Sequence, residues 1–60
     1  MEMTTKELAF AVWNEIVKTY GAETAQDKVR KYIKASVENG YSHSRRERNF
    51  CRELETLSMA

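Results

Sequence analysis

Proline is missing from this chain, and glycine occurs only at Gly21 and Gly40. These two residue types punctuate turns and break helices, so their scarcity predicts helix interrupted twice. Cysteine is scarce as well. Cys51 stands alone, so no internal disulfide can form. A single thiol with no secretory leader suits a reducing cytoplasm. One histidine and one cysteine cannot complete a zinc site without help from Asp or Glu. No apolar run approaches the roughly 20 residues that a membrane span requires. There is no glycine-rich phosphate loop.

What is present is a short, apolar and highly charged chain. Its 60 residues allow one domain, and 42% hydrophobic content is too high for disorder, although 32% of the residues are charged. A chain of this length buries only about 60% of its unfolded surface, so a disulfide, a metal or association normally supports it. The first has no second cysteine and the second no obvious ligand set. Association, with a second copy or another partner, is therefore the expected support.

The charge is unevenly spread although the total is only +1. Residues 1–27 hold Lys6 and Lys18 against five acids, a local net of −3. Residues 28–52 hold eight Lys and Arg against Glu38 and Glu47, a local net of +6. A basic block between acidic ends hints at an anionic partner.

Punctuation places three helices. Thr4-Thr5-Lys6-Glu7 has capping-box spacing, so a first helix is expected over about 5–20, ended by Gly21 in a left-handed conformation. A second follows over about 23–39, with Gly40 as its stop. Ser44-Arg45-Arg46-Glu47 repeats the capping box and opens a third over about 45–57. The expected fold is all-α, a small three-helix bundle that dimerises.

At 100° per residue, Ala25, Val29, Tyr32, Ile33, Ser36 and Val37 form one stripe on the second helix, and Phe50, Cys51, Leu54 and Leu57 one on the third. The first helix is broader. Leu8, Ala9, Val12, Ile16 and Tyr20 make a core stripe, and Phe10, Trp13 and Val17 extend it to an arc of roughly 200°. On one reading the first helix sits between the other two and both cover that arc. The alternative, that Phe10, Trp13 and Val17 form a dimer interface, is favoured because large apolar patches are rare on soluble monomers.

Catalytic chemistry is poorly served. His43 is the only imidazole, and its one helical-spacing partner, Glu47, could at most share a surface metal. Cys51 falls inside an apolar stripe, where it acts as a small hydrophobe. No base, orienting partner and pocket converge, so no enzyme, metal or cofactor is expected.

The basic residues carry more information. Asp27 precedes Lys31 by four and Lys34 precedes Glu38 by four, the pattern of an ordinary solvated helix face. On the third helix Arg45, Arg48 and Arg52 project together with Asn49 beside them and Arg46 at the flank, and only Arg52 has a well-spaced acid, Glu55. Like charges at i, i+4 and cations near a helix start both cost the helix something. Such a face suits phosphates or a partner's carboxylates. A helix-turn-helix does not fit, because Arg46 occupies the apolar position counted from Gly40 and the 39–44 connection exceeds the usual 3–4-residue turn. The expected function is a non-enzymatic binding module, a cytoplasmic regulatory or adaptor protein contacting another protein. The alternative is a DNA-binding transcriptional regulator using the arginine face. No membrane role is expected.

Overall fold

The computed structural model describes residues 2–59. Three α-helices follow one another: α1 (Thr5–Tyr20), α2 (Ala22–Glu38) and α3 (Arg45–Met59), with a short turn over Gly40–His43 between the last two. There is no strand among the described residues, and no described helix is long and apolar enough to cross a membrane. Each helix packs against the other two.

The α1 cap follows the sequence closely. Thr4 Oγ1 accepts from the Glu7 amide at 3.1 Å, and the Thr4 amide donates back to Glu7 Oε1 at 3.2 Å. Two orphan donors at the helix start are satisfied reciprocally. At the other end, Gly21 N donates to Val17 O, while Gly21 O accepts from Ala25 N. One glycine therefore closes α1 and opens α2. Its backbone, φ 88 and ψ 159, is not the left-handed helical cap expected from the sequence. The next helix begins at Ala22, so the chain must turn within a single residue, and the extended ψ makes that turn. This region is open essentially to glycine alone.

From the sequence, the connection from α2 to α3 is expected only as a loop over 39–44 that contains the Gly40 stop. In the structure, Gly40, Tyr41, Ser42 and His43 all have φ between 54 and 59. Four residues in succession form one turn of left-handed helix, a hand that costs L-residues about 1–2 kcal/mol each. The turn closes with Ser42 N donating to Asn39 O and Ser44 N to Tyr41 O. Tyr41 is half-buried, so its side chain offsets part of the strain.

The fully buried apolar residues are Ala9, Ala25, Val29, Cys51 and Leu54. Around Ala9, Val29 and Leu54 pack the half-buried Val12, Trp13, Ile16, Ile33, Phe50 and Leu57. The α2 and α3 stripes thus face inward at their centres, while Tyr32 and Val37 at the margins stay exposed. On α1 the core has rotated relative to expectation. Trp13 joins the core, whereas Leu8, expected within it, is 44% exposed; Tyr20, also expected there, is the last residue of the helix and is 53% exposed.

Two substitutions test the turns. A Cβ at Gly21 meets nothing within 4 Å, so the cost of Gly21→Ala is purely conformational. Chemical denaturation should show a loss of about 1–3 kcal/mol. A D-alanine at that position, which favours positive φ, should recover most of it; equal losses for both would contradict the account. Ser42→Gly removes a left-handed penalty at the cost of added chain entropy, and should raise stability by roughly 0.5–1 kcal/mol.

Candidate functional site

Two polar features sit on α3, one facing inward and one outward. The inward one is built on Glu47. Ser44 caps α3, its Oγ accepting from the Glu47 amide at 3.2 Å. The Glu47 carboxylate does not return to the cap, as a full capping box requires. It accepts instead from the Tyr32 hydroxyl, from Ser36 Oγ at 3.3 Å and weakly from the Cys51 thiol at 3.8 Å. The box predicted from the sequence is half formed because a tertiary site outcompetes the local one. Tyr32 also meets Phe50 edge-to-face, with ring centroids 6.2 Å apart. These contacts fix the register of α2 on α3.

Protonation follows from that geometry. The Tyr32 phenol is pushed up to about 12, chiefly because its proton is held by the Glu47 carboxylate, with burial and the nearby negative charge adding to this. The Cys51 thiol is raised, first by burial. A raised, buried thiol is the opposite of an activated nucleophile. The surface metal shared by His43 and Glu47 finds no support either, since that carboxylate is engaged by Tyr32, Ser36 and Cys51. No group of three His, Cys, Asp or Glu that could hold a metal occurs among the described residues.

The outward feature is the arginine face. Arg45, Arg46, Arg48 and Arg52 are all exposed, as is Asn49. The ion pair found among the described residues is Lys31–Asp27, at 3.2 Å. The i, i+4 pairing expected of Lys34 with Glu38, and the i, i+3 pairing of Arg52 with Glu55, are not formed within 4.0 Å. None of the four arginines therefore has a carboxylate within ion-pair reach among the described residues.

The structure divides the group. Arg45 and Arg48 border a hollow of about 260 Å³ with Tyr41 and His43. Arg48 and Arg52 border a second, of about 290 Å³, with Ile33, Tyr41 and Glu55. Tyr41 and Arg48 are common to both, so Arg45, Arg48 and Arg52 form one strip with an aromatic ring beside it. Arg46 lies elsewhere, lining a hollow with Leu8 and Phe50. The role of Tyr41 was not legible, because it depends on the left-handed turn.

The trio proposed from the sequence as a dimer face is also divided. Trp13 packs against the core, Val17 is half-buried, and Phe10 is 55% exposed. No family model, curated protein or solved structure matches this chain.

The inward cluster has a pH signature. A phenol whose folded pKa lies near 12, above its ordinary 10.0, favours the folded state below pH 10. That contribution is lost as pH rises from 10 to 12, because the unfolded chain gives up the proton first. Tyr32→Phe should therefore flatten the fall in stability over that window. An unchanged slope by denaturation at several pH values would place the phenol's proton elsewhere. Cys51→Ala should cost about 1–2 kcal/mol by loss of buried volume. The folded parent should react slowly with a thiol reagent.

Proposed function

We propose that this protein is a small non-enzymatic binding module, a cytoplasmic regulatory or adaptor protein that recognises an acidic segment of another protein through Arg45, Arg48 and Arg52. The observation that carries the reading is that none of the three arginines has a carboxylate within ion-pair reach among the described residues, although Glu55 lines the same hollow as two of them. Arginine offers a rigid fork of donors that suits carboxylates and is weakly hydrated, so a strip left unpaired is ready for an outside partner.

The shape of the strip favours a peptide. From Arg45 to Arg52 it runs roughly 10 Å along the helix. A duplex-binding surface normally makes many phosphate contacts over a broader footprint. Here the strip is bordered by Ile33 and Tyr41, an apolar and an aromatic side chain, and by the carboxylate of Glu55. Those neighbours suit the mixed chemistry of a protein segment better than a phosphate backbone. The buried, uncharged thiol fits a compartment in which cysteine stays reduced.

Changing Arg45, Arg48 and Arg52 together to Gln should leave the helical circular dichroism signal intact. It should also abolish retention of an immobilised Glu- and Asp-rich peptide. Single changes should show most of the loss at one or two positions, as protein interfaces do. Stronger retention on duplex DNA than on the peptide, with affinity falling steeply as salt rises, would support the DNA-binding alternative. A triple variant that binds like the parent would leave the arginines as solvated scaffolding.

A further inference from the structure

A second surface lies apart from the arginine strip and shares none of its residues. Leu8, Val12 and Ile16 follow one another at i, i+4 and i+8 on α1, and two adjoining hollows open beside them. The larger, about 590 Å³, lies among Met3, Leu8 and Phe50. The smaller, about 190 Å³, lies among Val12, Ile16, Tyr32 and Phe50. Phe50 borders both, so the hollows meet along one side of α1, the first walled opposite by α3 and the second by α2 and α3. Tyr20 continues the row, its ring 4.5 Å from the Lys28 ammonium.

This groove gathers much of the apolar surface that the core leaves uncovered. Met3, Leu8, Tyr20 and Tyr32 are 54%, 44%, 53% and 41% exposed. The other large exposed apolar residues among the described ones, Phe10, Val37 and Met59, come singly, one from each helix. Leu8 to Tyr20 spans roughly 18 Å, the length of about three helical turns.

We infer that this groove along α1 is the interface of a two-fold homodimer, filled by α1 of a second copy lying antiparallel to the first. The α1 ridge is self-complementary in that orientation. With Val12 near the axis, Leu8 of each chain faces Ile16 of the other, the reciprocal pattern that a two-fold interface requires. The charges agree. Glu2 lines the groove at the start of α1, and Lys28 lines it toward the end of α1. An antiparallel copy sets Lys28 of each chain beside Glu2 of its neighbour. The remaining charged pair in the lining, Arg46 and Glu47, lies together in the larger hollow and adds no net charge there. The interface thus differs from the Phe10, Trp13 and Val17 face expected from the sequence.

Sedimentation equilibrium of the full chain at micromolar concentration should show a dimer. Leu8→Glu should give a folded monomer, whereas Phe10→Glu should remain dimeric. Lys28→Glu, a change at an exposed side chain, should weaken the dimer by about tenfold or more through like-charge apposition. Combining it with Glu2→Lys should restore association. Should Leu8→Glu fail to fold, the Lys28 and Glu2 exchange decides the matter alone. A monomeric parent would overturn the inference. So would a dimer that Phe10→Glu dissociates, or a charge exchange that fails to restore association. None of these outcomes bears on peptide binding by the arginine strip, which is read separately.

Discussion

Ala9, Ala25, Val29, Cys51 and Leu54 are the apolar side chains fully withdrawn from water among the described residues, and the rest of the molecule is arranged around how little they bury. Two are alanines, and the largest is a leucine. At about 25 cal/mol per Å² of apolar surface, such a centre leaves little margin over the entropy of ordering the chain. Each helix must therefore contribute half-buried side chains at its margins, and α1 gives up Trp13 to this need. Once Trp13 turns inward, Leu8, roughly 140° around the same helix, turns outward. The groove on one side of α1 and the core on the other have one cause.

Local signals in the sequence located the helices well. Thr4 with Glu7, the two glycines, and Ser44 before a charged turn set boundaries within one or two residues of those found. Features that depend on a distant partner were not visible in the same way. Glu47 stands at capping-box spacing, yet its carboxylate joins Tyr32, Ser36 and Cys51, and no local pattern reveals that competition. Helical periodicity located the apolar arc of α1 but not which margin of it the neighbours would cover. The left-handed turn was hidden for a similar reason. Gly40 alone among its four residues lacks the Cβ that opposes positive φ, and the half-burial of Tyr41 beside α2 and α3 is a tertiary contact that no local pattern reveals.

The arginines were easier to see, since charge needs no fold to be counted. What the sequence could not settle was which of them act together. The structure unites Arg45, Arg48 and Arg52 around Tyr41 and moves Arg46 to the α1 side. Asp27 and Lys31 meet as spacing suggests, whereas Lys34 with Glu38 and Arg52 with Glu55 do not. Spacing makes a pair possible, but exposed long side chains gain too little from pairing to be held in place by it. The inward Glu47 cluster and the outward strip thus divide the work of α3. One side fixes the helix to α2, and the other is left with unanswered charge.

The turn of opposite hand before α3 bears on how the molecule comes apart. Three non-glycine residues held left-handed amount to about 3–6 kcal/mol of local strain. That strain is relieved whenever α3 lifts from its seat, so partial opening there should precede global unfolding. The buried Cys51 lies on that helix, one turn from Glu47. Its thiol would meet solvent mainly in the opened form, making the lone cysteine a natural gauge of how often the third helix breathes.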